Sequence, residues 1–428
     1  RLIEPDGTET VITTTRTEYQ VSGAGTYLVM GEFTVFEIDS DFQVGAGTTE
    51  TEVWNGMMVG DQIGKNLFSN IASLVSVPSG EFKVKELHYL FPNTGMDFDS
   101  AEVANWDTSE ATTAAFAFYN TTGNPDISNW DLSNVENMYR MFARTADFDG
   151  YFNMSGSNVI RENLVEMFSN ASSFNNQQWA ATVSSPNGAT NLHKMFDGAT
   201  AFNQPFGSDA LIKDAVDMSY MFANTGSFNQ DFPNWDISSV VSAKGMFHGA
   251  VAFNAGGLIV NPDESHSNTW SNQYVDFFRG TQAYNTPLNG WDFTNTFDLS
   301  GLFQDAVAFN SPDSSAWNIE TVQTFNLMFA NTSAFNQPLD EWETLAAVEM
   351  GSMFEKAAVF NQNISSWCVL GVADEPDNFA VGSPIEGVDE YQPKWGTCPP
   401  KVVRELKIYD KPTNSYTDTE VGHEISTT

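Results

Sequence analysis

The chain consists largely of repeated copies of one short sequence unit. A phenylalanine that closes a Met-rich segment, called here the anchor Phe, recurs eleven times at intervals of roughly 26 residues. Because a unit of this length cannot bury its own apolar face, the periodicity predicts that each copy stacks on its neighbours. The anchors are Phe91, Phe118, Phe142, Phe168, Phe196, Phe222, Phe247, Phe278, Phe303, Phe329 and Phe354.

Residues on both sides of each anchor keep a common register. Thr or Ala stands three residues after the anchor, where a small side chain allows neighbouring copies to approach closely. Before the anchor, apolar residues such as Val135, Met138 and Met141 lie about three apart, which predicts a short helix. After it, an aromatic residue and then Asn or Asp begin a short extended segment. Stacked copies of that segment are expected to pair as a parallel sheet.

The Asn and Asp column is interpreted as structural rather than as a ligand site. A short amide side chain bonds backbone groups at a sharp bend, and stacked copies also bond one another. A Trp follows in many copies, often as Trp-Asp, and is expected to pack under the corner at which the next unit begins. The predicted ladder comprises Asn175, Asn203, Asn229, Asn254, Asn285, Asn310, Asn336 and Asn361.

Three strings carry a family resemblance: Asn234–Val240 (NWDISSV), Met221–Asn224 (MFAN) and Ala334–Leu339 (AFNQPL). They resemble the BspA-like leucine-rich-repeat surface proteins, whose units follow W-D-x-S-x-V-x-x-M-x-x-M-F-x-x-A-x-x-F-N-Q. The similarity covers about residues 85–400, and its final segment resembles the C-terminal cap of that family. The resemblance implies secreted or surface-exposed proteins used for adhesion or as structural parts, and it implies no catalytic residue.

The predicted fold class is therefore an α/β repeat. It is a leucine-rich-repeat-like solenoid of about eleven units, with short parallel strands and short helices, plus a small N-terminal β region. The expected boundaries are a β-rich domain or cap at 1–80, the solenoid at 81–367, a cap at 368–398, and a linker and strand at 399–428.

The charge balance excludes several partner classes. Eighteen basic and fifty-five acidic residues give a net charge of −37, so the chain should repel nucleic acid and anionic membranes. No apolar run reaches membrane-spanning length, and no membrane insertion is predicted. The acidic residues are expected to be solvated, and no cofactor is predicted. The alternative is calcium, for which the candidate ligands are Asp97, Asp99, Asp147 and Asp149.

The two cysteines, Cys368 and Cys398, bracket the end of the repeats. A disulfide there would close a loop of about thirty residues and contribute roughly 3 to 4 kcal/mol. Such a staple suits the end of an array, where a terminal copy exposes an apolar face. Two reduced, unrelated thiols are the alternative.

One interval is longer than the others, at 31 residues between Phe247 and Phe278. Insertions in solenoids form loops on one face, frequently the binding face. The inserted loop is therefore the predicted binding site, through Asn261, Asp263, Glu264 and His266.

The segments that flank the repeats are candidates for contacts with other molecules. The N-terminal β region and a strand within residues 401–409 are expected to join copies of the chain, or to join it to other surface or virion proteins. The chain lacks an initiator Met and a signal peptide, so we expect it to be a processed or partial form of a larger product.

Two function classes follow from these features. The first is a structural component of an extracellular surface, filament or virion, which presents the repeats for adhesion. The second is a monomeric adhesin that binds a glycan or a host protein. A polysaccharide-active enzyme is a distant third, because the five histidines are scattered and no catalytic motif is present.

Overall fold

The computed structural model describes the repeat region and parts of both flanks. Backbone alone is described for the strands 2–3, 9–10, 28–29, 235–236, 258–259, 407–410 and 415–418. Complete residues are described at 68–69, 77, 84, 86–96, 98, 103–153, 163–178, 189–206, 212, 214–232, 240–256, 274–288, 291, 293–294 and 296–400. The predicted binding loop at 261–266 lies outside these ranges, as do Asp97, Asp99 and most of residues 1–80.

Successive copies are joined by alternate backbone amides around each anchor. The N–H of Phe142 donates to the carbonyl of Met167 at 2.9 Å, and that of Arg140 donates to Val165 at 3.0 Å. Equivalent bonds recur along the array, so each copy hydrogen-bonds to the next one in the sequence. Parallel bridges form five residues before the anchor, at Thr113↔Asn137, Asn137↔Asn163, Asn191↔Asp217, Asp217↔Ser242, Asp298↔Thr324 and Thr324↔Glu349.

The predicted short helices before the anchors are wrong. Within the described residues, the only named helix is the 3₁₀-helix Pro312–Ala316. In place of a helix, each anchor lies between two residues of positive φ, as at Arg140 (54°) and Arg144 (62°). An α-helix needs every amide to bond within its own segment. Here alternate amides bond to the next copy, which leaves only three-residue turns such as Met141 N–H to Met138 O at 3.1 Å.

The named strands are short. Leu2–Ile3 (β1) pairs antiparallel with Glu9–Thr10 (β2) and with Leu28–Val29 (β3), and Trp235–Asp236 (β4) pairs parallel with Leu258–Ile259 (β5). Lys407–Asp410 (β6) pairs antiparallel with Ser415–Asp418 (β7) of the same chain. Part of the predicted joining segment 401–409 is therefore paired internally, and residues 401–406 lie outside the described part.

Two columns of aromatic rings fill the core. Phe222 lies 5.6 Å from Phe196 and 5.6 Å from Phe247, with ring planes within 6° of parallel. The second column holds the aromatic residue that follows every anchor except Phe118, which has Pro125 there, and Phe228 stacks on Phe222 at 4.2 Å. These rings are almost completely buried and belong to one hydrophobic cluster. The column also accepts tyrosine, because Tyr284 stacks on Phe253 at 5.7 Å.

The Asn column forms a ladder of side-chain to backbone bonds between copies. The Asn203 N–H donates to Asn175 Oδ1 at 2.8 Å, and Asn203 Oδ1 accepts from the Asn229 N–H at 2.9 Å. Gln230 Nε2 also donates to Asn203 Oδ1 at 2.8 Å. The same amide bond recurs at every step from Asn175 to Asn361. The parallel strands predicted at this segment do not form among the described residues, because side-chain to backbone bonds join the copies there.

We expect Asn203→Ala to lower the free energy of unfolding by about 1 to 2 kcal/mol, because the Asn229 N–H loses its acceptor and Gln230 keeps only the backbone oxygen of residue 203. Asn203→Asp keeps the acceptor oxygen and should change stability by less than about 0.5 kcal/mol. The chain contains a precedent, since Asp149 Oδ1 accepts the Asn175 N–H at 2.7 Å. Denaturant unfolding of both variants checks this. Equal losses for Ala and Asp would show that the acceptor is not what stabilises the ladder.

The hydrogen-bonded array extends past both ends of the predicted range 81–367. The Phe68 N–H donates to Leu90 O at 3.0 Å, and its ring stacks on Phe91 at 5.2 Å, as anchors do. At the other end, Ala380 takes the anchor position between the positive-φ residues Asn378 and Gly382. Its turn accepts amides from the Phe354 copy, as when the Phe354 N–H donates to Phe379 O at 2.8 Å.

The C-terminal copy is also closed covalently. Cys368 and Cys398 form a disulfide across 30 residues. The backbone runs beside it, with the Val369 N–H donating to Thr397 O at 3.0 Å. In the part of the chain that the structure describes, no helix has the length and apolar character needed to cross a bilayer.

Candidate ligand-binding surface

The basic side chains that the structure describes in the repeat region lie on one face. We define the anchor-turn face as the side chains three and two residues before each anchor and one and two residues after it. Of the Lys, Arg and His side chains described in the structure, only Lys394 lies elsewhere. The others are His88, Arg140, Arg144, His193, Lys194, Lys244, His248, Arg279 and Lys356.

The backbone explains why these side chains share a face. Positive φ two residues before and after each anchor turns those side chains away from the core while the anchor ring points inward. Stacking then places the same position of successive copies side by side. Lys194 Nζ lies 5.7 Å from the ring centroid of Tyr220, which has the same position in the next copy.

The N-terminal part of the face carries a compact group of aromatic rings. Tyr89 and Phe116 stack at 4.4 Å with their planes 10° apart, and Tyr139 meets Phe116 edge-on at 5.0 Å. Tyr119 meets Phe116 at 5.5 Å. All four rings are partly exposed, unlike the two core columns. Half-exposed rings of this kind provide contact area for a ligand at little conformational cost.

Two arginines complete this group, called here the aromatic-basic patch: Tyr89, Phe116, Tyr119, Tyr139, Arg140 and Arg144. The Arg140 guanidinium lies 5.0 Å from the Tyr139 ring centroid, and that of Arg144 lies 5.8 Å from Tyr119. Contacts between a cation and an aromatic ring contribute about 0.5 to 1 kcal/mol at exposed sites.

The two guanidiniums differ in their acidic partners. Arg140 donates two hydrogen bonds to the Glu166 carboxylate, both 2.9 Å, and this bidentate bond raises the pKa of Arg140. Arg144 is exposed and forms no ion pair with any residue that the structure describes. Arg144 is therefore the charge in the patch that remains available to a ligand.

The middle of the face holds a partly buried histidine. The pKa of His248 is lowered, first by burial and then by the nearby Arg279 charge, while the Asp276, Asp197 and Asp305 carboxylates oppose the shift. Its Nδ1 is buried without a hydrogen-bond partner among the described residues. Both observations indicate that the ring is accommodated in its neutral form.

A lowered histidine pKa makes stability depend on pH in a defined direction. The folded protein binds the His248 proton less readily than the unfolded chain, so stability from this site is fully present above the unfolded pKa and is lost as pH falls through the folded pKa. Ala occupies the same position at Ala223 and Ala330, which makes His248→Ala a conservative change. We expect the variant to lose less stability than the parent between pH 7 and pH 5. Chemical unfolding at both pH values checks this, and parallel losses would contradict it.

The candidate calcium ligands are already used by the backbone where they are described. Asp147 Oδ2 accepts the Gly123 N–H at 3.3 Å, and Asp149 Oδ1 accepts the Asn175 N–H. Burial raises the pKa of Asp149, and the bond from Asn175 opposes that shift. No group of three His, Cys, Asp or Glu side chains suited to a metal ion occurs among the described residues.

Sequence reasoning did not identify the anchor-turn face. The signal was present, because Arg140, Lys194, Lys244 and Arg279 all stand within three residues of an anchor. The outer copy at Phe68 was also missed, although Phe68-Ser69-Asn70 repeats the tripeptide Phe168-Ser169-Asn170.

Comparison with known proteins gives one result. A family model described as "Mycoplasma protein of unknown function, DUF285" matches residues 66–182, 182–261 and 270–386 in tandem. The matched stretches include the outer copies at Phe68 and Ala380. No curated protein and no solved structure matches the chain.

Proposed function

Because the chain belongs to the family described as Mycoplasma protein of unknown function, DUF285, we propose that it is a non-enzymatic extracellular surface protein of the BspA-like type. In this proposal its copies form a leucine-rich-repeat-like solenoid. The solenoid is a structural component of a cell-surface, filamentous or virion assembly, and it presents one long face for adhesion.

The continuity of the core is the observation that carries this proposal. One hydrophobic cluster includes buried side chains from Phe68 to Ile385, and each copy contributes rings to it. A stack of this kind gives every copy the same exposed positions, so a surface lengthens as copies are added. That property suits a scaffold that presents repeated contacts.

The electrostatic pattern supports the same proposal. A net charge of −37 favours solubility and repels nucleic acid and anionic lipid. Against this background, the anchor-turn face concentrates the described basic groups on one side. We propose that copies join through residues 1–80 and 401–409, so that this face remains open to the surroundings.

A monomeric adhesin is the second candidate, and the aromatic-basic patch favours it. Partly exposed rings and an arginine without an acidic partner in the described residues are the groups that binding surfaces enrich. In that case the same face would bind a glycan or host protein without prior assembly.

Electron microscopy of the native material, combined with mass measurement, tests the proposal. We expect ordered assemblies at the cell or particle surface in the absence of added ligand. A monodisperse monomer at that surface would favour the adhesin. Native protein found only inside cells would contradict both.

A further inference from the structure

We propose that the aromatic-basic patch is a binding site for an acidic saccharide, with Arg144 as the group that binds the sugar carboxylate. This inference rests on the proposed extracellular function and deepens it by naming a ligand class. It depends on three properties of the patch: its rings, its charge and the character of the surrounding surface.

The rings provide the contact area. Tyr89 and Phe116 stack as one aromatic step across two copies, and Tyr139 stands perpendicular to it. These three rings and Tyr119 are partly exposed, and the three tyrosines among them carry phenolic hydroxyls. The apolar C–H face of a pyranose ring packs against such a wall, while phenol groups bond sugar hydroxyls.

The charge selects an acidic ring over a neutral one. The Arg140 charge is offset by its bidentate bond to Glu166, and the Tyr139 ring supports its guanidinium. Arg144 keeps its full charge beside Tyr119 and projects to solvent. A guanidinium held beside an aromatic ring presents paired donors to a carboxylate, which accepts them bidentately.

The rest of the surface limits the charge of the ligand. With a net charge of −37, the chain repels polyanions such as nucleic acids or densely sulfated chains. A sugar with one carboxylate gains the local contact without strong repulsion. Uronic acids and sialic acids share this chemistry, and the experiment separates them.

Equilibrium binding to the full chain tests the proposal. The probes each carry one carboxylate: the methyl glycoside of galacturonic acid with its neutral methyl ester, and sialyllactose with neutral lactose. We expect at least one acidic probe to bind more tightly than its neutral counterpart. Arg144→Asn should weaken that binding about ten-fold or more, because one charge-assisted contact is lost. The galacturonate and sialyl arms identify which acidic sugar is preferred.

The chain supplies a matched control. Asn occupies the Arg144 position in the copies of Asn93, Asn120, Asn170, Asn224 and Asn331, so Arg144→Asn fits the positive-φ backbone. Lys356→Asn makes the same change in charge at the same position eight copies later and should leave binding unchanged. An unchanged unfolding midpoint in both variants shows that each one folds.

Three results would overturn the proposal: no acidic probe binds, acidic and neutral probes bind equally, or Arg144→Asn weakens binding no more than Lys356→Asn does. Each is distinct from failure of the proposed function. If the protein forms surface assemblies but binds no acidic sugar, the saccharide site is wrong and the proposed surface function stands. If the protein is found only inside cells but binds sialyllactose, the surface function is wrong and the saccharide site stands.

Discussion

Replacing one anchor ring, Phe222→Ala, should lower the free energy of unfolding by about 3 to 5 kcal/mol. The ring is fully buried and stacks on Phe196, Phe247 and Phe228 at 5.6, 5.6 and 4.2 Å. Truncation removes packing from these three rings and from Phe206 and Phe232, and it leaves a void that the hydrogen-bonded turns on either side keep from closing. Denaturant unfolding measures the lost free energy of unfolding. Faster hydrogen exchange of the backbone amides around Phe222 and Phe247 would show that the destabilisation is local to these two copies.

The same substitution at an exposed ring is the control. Phe297 is 38% exposed, and its backbone carbonyl, rather than its ring, accepts the Gln323 N–H. Phe297→Ala should therefore cost less than about 1 kcal/mol. Phe222→Leu keeps most of the apolar volume and should give an intermediate loss. Similar losses at Phe222 and Phe297 would show that the ring column is not the source of stability.

Removing the disulfide is the second large effect. Cys368→Ser combined with Cys398→Ser should lower the free energy of unfolding by about 3 to 4 kcal/mol, since a closed loop of some thirty residues restricts the unfolded chain. The bond closes the last copies, where the ring column ends against Phe379, set perpendicular to Phe354 at 5.5 Å. The C-terminal copies should therefore unfold at a lower denaturant concentration than the central copies.

Limited proteolysis and chemical unfolding measure this effect. Cleavage between residues 368 and 398 should precede cleavage of the central copies in the double variant. Reduction of the parent protein should reproduce the loss, and reduction of the double variant should change nothing further. If the parent resists unfolding equally with and without reductant, the disulfide is not stabilising the cap.

The contacts between equivalent positions of successive copies could be predicted from the sequence, because they depend only on the register of the repeat. The anchors and the Asn column recur at fixed offsets, so each residue meets its counterpart once copies stack, as Asn203 meets Asn175 and Asn229. The helix prediction failed because apolar residues three apart are compatible with a series of three-residue turns as well as with a helix. The signal against a helix was Gly or Asn two residues after most anchors, such as Gly198 and Asn224, both residues that tolerate positive φ.

The candidate site was less predictable for a physical reason. The patch forms only when rings from different copies meet, as Tyr89 meets Phe116, and no single copy contains the arrangement. The inserted loop was predicted as a binding site because its repeat interval is longer than the others. The anchor-turn face has no unusual length, and its signal is the position of the basic residues relative to the anchors. The opposite roles of Arg140 and Arg144 follow from Glu166 in the next copy, which only the stacked arrangement places within reach.

Pulsed electron paramagnetic resonance distances test the stacking of copies most directly. Ala146, Val251 and Ser333 are exposed and stand at the same position in three copies, and both native cysteines are in the disulfide, so single cysteines there can carry spin labels. At about 4.8 Å per hydrogen-bonded step, the four copies from 146 to 251 and the seven from 146 to 333 predict backbone separations of roughly 19 and 34 Å. Distances that increase with the number of intervening copies agree with the stack. Distances unrelated to that number would contradict it.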